Sequence, residues 1–135
     1  MEDNRLFFTF CSAQKDDSLR ESGEAVPPEE LYTSQRVRRF IARCKAAPVR
    51  WAIFSDKYGV WFPEVKHKWY EMNPDNALPE FPRLLSEFDE IIKEFDRIYF
   101  CPGVGGPRLH RLYRRLVNES RWKNRIETIS FSEIA

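Results

Sequence analysis

Three cysteines, two histidines and five glycines are a thin supply for 135 residues, and each shortage closes a route. Cys11, Cys44 and Cys101 have neither CxxC spacing nor an even count. That excludes a disulfide framework and predicts the reduced thiols of a cytoplasmic protein. His67 and His110 stand alone, with no HxH or HxxxH partner, so no zinc site is expected and no cofactor can be read. No apolar run approaches the roughly 20 residues of a membrane span, so no membrane partner is expected. The start, Met1-Glu2-Asp3-Asn4, is acidic and has no basic-then-apolar leader, so no signal peptide is expected. Nor is charge of one sign in excess. The 22 basic and 21 acidic residues leave a net +1, which on its own predicts no partner.

What is present is a globular composition. The apolar share is 42%, with 11 Phe, 5 Tyr and 4 Trp, too aromatic for a disordered chain. The length fits one domain over residues 1–135, large enough to fold around its own core.

Leu6 to Cys11 is a short, almost wholly apolar run and reads as a strand buried on both faces, the habit of parallel sheets. Residues 12–30 are polar and read as a long loop or lid. Thr33 or Ser34 can cap a first helix over 34–47, in which Val37, Phe40, Ile41 and Cys44 recur on one face and Pro48 marks the end. Trp51 to Ser55 is a second buried strand, followed by the polar turn Asp56-Lys57-Tyr58-Gly59. Residues 60–77 read as an irregular excursion with one short helix near Val65–Tyr70. A second long helix follows from Pro79 to Glu94, with Phe81, Leu84, Leu85, Phe88, Ile91, Ile92 and Phe95 as its buried stripe. Arg97 to Cys101 is a third strand. Gly103-Val104-Gly105-Gly106 then leads to a third helix over 107–119, with Pro107 in its first turn. Residues 125–131 form a fourth strand. The order β-α-β-α-β-α-β predicts an α/β fold, a three-layer α/β/α sandwich with a mainly parallel four-stranded sheet and right-handed crossovers.

In such sheets ligands bind beyond the carboxyl ends of the strands, where loops and helix N-termini converge. Three segments lie there: Cys11–Asp17, Ser55–Gly59 and Cys101–Gly106. Gly103, Gly105 and Gly106 before a helix can present amides to an anion, or can serve a tight turn. Cys11 reads as a nucleophile if Lys15 or Lys57 lowers its pKa, and otherwise as a small buried residue. Lys15, Asp16, Asp56 and Lys57 on adjacent loops can together hold an anion and orient a polar group. His110 reads as solvent-facing.

Charge is also uneven along the chain. Residues 31–50 hold Arg36, Arg38, Arg39, Arg43, Lys45 and Arg50 and no acid. Arg36, Arg39 and Arg43 fall on one side of the first helix, and Arg108, Arg111 and Arg115 on one side of the third. Guanidinium groups so spaced can neutralise successive phosphates.

Phe10-Cys11-Ser12 with Lys15, Leu31-Tyr32-Thr33-Ser34, and Ser55-Asp56-Lys57-Tyr58-Gly59 with Pro63 and Tyr70 form a pattern. Over about residues 5–75 it resembles a group of small bacterial and archaeal α/β domains. That group in turn resembles the accessory domain of archaeosine synthase and related deazaguanine-modification proteins, which has a uracil-DNA-glycosylase-like fold. The resemblance implies a three-layer α/β/α domain linked to nucleobase or nucleic-acid modification, and it carries over no catalytic residue.

The first expectation is therefore a domain that binds a nucleotide, a nucleobase or another small anionic ligand. Lys15 and Lys57 would meet negative charge, Tyr32 would stack or hydrogen-bond, Ser12 and Ser55 would supply hydroxyls, and Gly103, Gly105 and Gly106 would line the pocket. The alternative is a non-catalytic module: nucleic-acid binding through the basic helices, or protein interaction through exposed Trp61, Phe62 and Trp69.

Overall fold

The computed structural model describes residues 4–135. The expectation attached to the acidic Met1-Glu2-Asp3 lies outside the described residues. The strands are β1 (Arg5–Phe10), β2 (Trp51–Ser55), β3 (Gly59–Trp61), β4 (Arg97–Phe100) and β5 (Ile126–Thr128). The α-helices are α1 (Ser18–Ser22), α2 (Pro28–Leu31), α3 (Gln35–Ala46), α4 (Pro74–Ala77), α5 (Phe81–Ile92) and α6 (Arg111–Glu119). They build a mixed α/β fold on one five-stranded sheet in the order β3-β2-β1-β4-β5. The four expected strands are there, with β2, β1, β4 and β5 parallel. A fifth, β3, runs antiparallel to β2 at the edge.

Alternation along β1 explains the layers. Phe8 packs on Phe88 of α5, and Phe10 stacks on Tyr113 of α6 at 4.5 Å between ring centroids. The intervening Phe7 and Thr9 point the other way, where Arg36 of α3 reaches the Thr9 hydroxyl. On that same face Phe40 of α3 packs edge-on to Trp51, which lies beside Phe7 in the sheet. With both faces covered, β1 and β2 lose their solvent-exposed side and need apolar residues at nearly every position. Each large side chain so buried contributes about 1.5–3 kcal/mol relative to exposure.

The edge hairpin was not foreseen. Ser55 pairs with Gly59 across the three-residue turn Asp56-Lys57-Tyr58, and Gly59 takes the left-handed φ of 74° that such a loop demands. The Ser55 hydroxyl accepts hydrogen bonds from the backbone N–H groups of Lys57 and Tyr58, which pins the turn and fixes where Asp56 points.

Four other expectations change. Residues 12–30 are no free lid: α1 and α2 occupy them, and backbone bridges tie Lys15 to Tyr32 and Val26 to His67. The short helix near Val65–Tyr70 is absent; that stretch is irregular apart from the bridge at His67, and the helical turn falls later, at α4 behind its Asn73 cap. The third helix starts at Arg111, because Gly106–Arg108 makes a separate 3₁₀ turn and His110 caps α6. The fourth strand is only Ile126–Thr128; beyond it the chain turns inward and buries Ile129 and Ile134. No helix among the described residues is long and apolar enough to cross a membrane.

Candidate functional site

The chain leaves β1 for β2 on one side and later returns to place β4 on the other. The crossover direction therefore reverses between the carboxyl ends of β1 and β4, the place where open α/β sheets form a crevice. Arg36 stands in that crevice. Its Nη1 donates to the Thr9 hydroxyl at 2.7 Å and the Pro102 carbonyl at 3.0 Å. Its Nη2 donates to the Phe10 carbonyl at 2.6 Å and the Cys11 carbonyl at 3.0 Å. The guanidinium carbon also lies 3.7 Å from the Phe10 ring centroid. All four acceptors are neutral, and no carboxylate pairs with this cation among the described residues. Burial pushes its pKa down to about 10. Ser34 caps α3 through the Val37 N–H, so Arg36 sits in the first helical turn, where the dipole disfavours positive charge.

A cavity of about 330 Å³ opens beside Arg36. Phe10, Met72, Val104 and Tyr113 supply apolar wall, while Cys11, Ser12, Asp56, Asn73, Arg108 and His110 supply polar groups. Asp56 is only 3% exposed. Its Oδ1 accepts from the Tyr70 hydroxyl at 3.0 Å and from the Cys11 thiol at 3.5 Å. Both bonds land on one oxygen, and no side chain among the described residues bonds the other. Behind Asp56 the network runs in a single sense. Tyr70, whose proton goes to Asp56, accepts from Tyr32 at 2.6 Å and from Ser55 at 3.1 Å. Cys11, whose proton also goes to Asp56, accepts from Tyr113 at 3.5 Å.

These placements set the charge states. Burial raises the Asp56 pKa, and hydrogen bonds from Tyr70 and Cys11 together with the Lys15 charge draw it partly back. Burial, reinforced by Asp56, pushes the Cys11 thiol up to about 11. Tyr70 and Tyr113 are also raised by burial. Cys11 is therefore a neutral thiol at pH 7, and the nucleophile reading does not hold, since the lysines meant to activate it point elsewhere.

His110 is not simply solvent-facing. Its Nδ1 accepts the Leu112 N–H at 3.0 Å, capping α6, which leaves Nε2 to donate to Asp75 of α4 at 2.7 Å. This link ties α4 to α6 across the cavity rim. Among the described residues no three His, Cys, Asp or Glu side chains gather in a metal-binding group.

The other expected site residues divide. Ser12 lines the cavity. Lys15 and Lys57 converge on one ring, with Nζ atoms 4.4 Å and 5.9 Å from the centroid of Tyr70. They share the end of the sheet with Asp56 but do not line its cavity. Tyr32 and Ser55 are both 0% exposed. They hold the network under Asp56 and cannot stack on or touch a ligand, a correction to both expectations. Gly103 borders a larger groove next to this cavity, whereas Gly105 flanks and Gly106 opens a 3₁₀ turn, so these two do not present amides at the start of α6.

The basic stripes change as well. Arg36 turns into the sheet ends and leaves Arg39 and Arg43 exposed on α3. Arg108 precedes α6 and lines the cavity. Arg111 is exposed, whereas Arg115 pairs with Glu119 and covers Phe81. The aromatics assigned to protein interaction are not free: Trp61 is buried and Phe62 and Trp69 are half-buried. Tyr70, Tyr113 and Asn73 were missed as site residues. Tyr113 sits among the apolar positions Leu112 and Leu116 of its helix, and nothing local marks a tyrosine whose hydroxyl is buried.

Comparison of the chain with protein-family models, with curated proteins and with solved structures finds no match.

Proposed function

We propose that the cavity between the ends of β1 and β4 binds a nucleobase or nucleotide-like ligand, a planar molecule that offers N–H donors to Asp56. The observation that carries this is a nearly buried carboxylate on a cavity wall with no cation paired to it among the described residues. Such a group is costly to bury unless something hydrogen-bonds it. Both side-chain bonds to Asp56 reach one oxygen only, which leaves acceptor capacity for an incoming donor pair. Stacked Phe10 and Tyr113 offer apolar wall to a flat ring, and Asn73 and Ser12 complete a mixed donor and acceptor rim. The size is ordinary for a small-ligand site. A link to nucleic-acid modification is consistent with this chemistry and with the resemblance of residues 5–75.

The test is calorimetric titration of purified protein with nucleobases, nucleosides and nucleotides. One base class is expected to bind, and Asp56→Asn is expected to weaken it by about tenfold or more, the worth of a hydrogen bond to a charged group. Unchanged affinity in a folded Asp56→Asn protein would sink the assignment.

A further inference from the structure

Next to the base cavity lies a larger groove of about 800 Å³ that shares two walls with it, Arg36 and Val104. The remaining wall comes from Arg39, Gly103 and the turn after β5, with Ser130, Ser132 and Glu133. We propose that this groove is a phosphoryl subsite, taking the phosphate of the molecule whose base enters the smaller cavity. The link between the two sites rests on the base-cavity reading; the anion site itself does not.

Three observations converge. The first is the unneutralised Arg36. Four of its five N–H donors are spent on neutral oxygens, so the group is anchored while, among the described residues, its charge stays unmet and Nε–H stays uncommitted. A cation placed against the positive end of its own helix and partly desolvated is stabilised by an anion beside it. The second is Arg39, one helical turn along, which is exposed and makes no hydrogen bond or ion pair among the described residues. Two guanidinium groups three residues apart can grip one phosphate from adjacent directions. The third is the far wall, where the Ser130 and Ser132 hydroxyl oxygens lie 2.9 Å apart. Among the described residues Glu133 is the one acid on the groove. Its Oε1 accepts from the Ser130 N–H and hydroxyl, which closes the turn. The balance over the groove is thus two cations to one tied carboxylate.

Phosphate chemistry fits better than a carboxylate ligand because the groove adjoins a base-sized cavity through Arg36. Two sources share that chemistry: the terminal phosphate of a mononucleotide and the backbone phosphodiester of a single strand. Arg43 continues the line beyond Arg39 along an adjoining hollow with Phe131 and Ser132, so a strand has somewhere to go.

The test compares binding of nucleosides, their 5′-monophosphates, pyrophosphate and short single-stranded oligonucleotides to the wild type, Arg39→Glu and Asp56→Asn. Arg39 is exposed, so its variant should fold; melting curves verify this. The monophosphate is expected to bind about tenfold tighter than its nucleoside. Arg39→Glu should erase that advantage and leave nucleoside affinity unchanged, while Asp56→Asn should weaken both ligands alike. If nucleosides fail to bind but pyrophosphate stabilises the wild type and not Arg39→Glu, the base reading falls and the anion site stands. If phosphate confers no advantage, or Arg39→Glu retains it, the subsite is overturned. Oligonucleotide binding stronger than monophosphate binding, weakening further with salt and on Arg43→Glu, identifies the backbone as the source; equal affinity identifies the mononucleotide.

Discussion

Asp56 stands in an environment that opposes its own charge. Its folded-state pKa is raised by burial above the value of an unfolded carboxylate. Between those two values the native state holds a proton that the unfolded chain has lost, so stability falls as pH rises. The contribution of the protonated form is complete below the unfolded pKa and gone once pH has risen through the folded one. Asn at this position keeps an oxygen for Tyr70 and Cys11 and carries no charge. Asp56→Asn should therefore melt at a higher temperature than the wild type at pH 7, and the two should converge near pH 3–4, where a free carboxyl takes up its proton. Melting curves from pH 3 to 8 check this. A variant less stable at every pH would mean that the charge is fully solvated or paired, contrary to the geometry. Stabilisation alongside lost ligand binding is the pattern expected where function requires an unfavourable group. Asp56 is legible in the sequence through its place on a strand-end loop. Tyr70, which does most to hold it, lies fourteen residues on in an irregular stretch that carries no periodic signal.

Loops and helix starts were the hardest elements to foresee, and the glycine loop is the clearest case. Gly103-Val104-Gly105-Gly106 before an apolar-periodic run reads equally as an anion loop or a turn, because both need the same residues. Packing decides. Gly103 has φ +71°, and a Cβ there would stand 2.5 Å from Cζ of Phe131 and 3.2 Å from Cγ of Arg36. Gly106 also has a positive φ, +57°, but nothing lies within 4 Å of its Cβ position. Both alanine variants incur the left-handed penalty of about 1–2 kcal/mol. Only Gly103→Ala must also displace a ring that packs on Phe40, which should add about 1–3 kcal/mol. Urea denaturation should rank Gly103→Ala well below Gly106→Ala, and equal losses would contradict the close approach. Of the β2–β3 hairpin only the polar turn was legible. Asp-Lys-Tyr with a glycine marks the turn, but the three-residue strand beyond it is too short to show alternation.

Alternation of strand and helix was enough to announce a parallel sheet between helices, whereas strand order was invisible because it depends on which way each crossover turns. The observed order puts β1 at the centre, with Leu6, Phe7 and Phe8 at most 2% exposed. It leaves the short β5 at one edge, with Glu127 and Thr128 exposed. Stability should follow that gradient. Amides bonded from β1 to β2, such as Phe7 N–H to Arg50 and Cys11 N–H to Phe54, should open only on global unfolding. The Ile129 N–H, bonded to Phe100 at the β5 edge, should exchange at least about tenfold faster, through local opening worth roughly 1.4 kcal/mol less. This edge is also the wall of the proposed phosphoryl groove, since Thr128 to Glu133 line it. A ligand that bridges Arg36, Arg39 and the Ser130 turn binds only when the edge is closed, so at saturation it should slow the Ile129 amide and its neighbours by the same linkage that raises melting temperature. Native-state hydrogen exchange with and without the monophosphate measures both effects at once. Edge amides as protected as those of β1 in the free protein would refute the gradient. Edge amides untouched by a ligand that binds tightly would place the phosphate somewhere other than this groove.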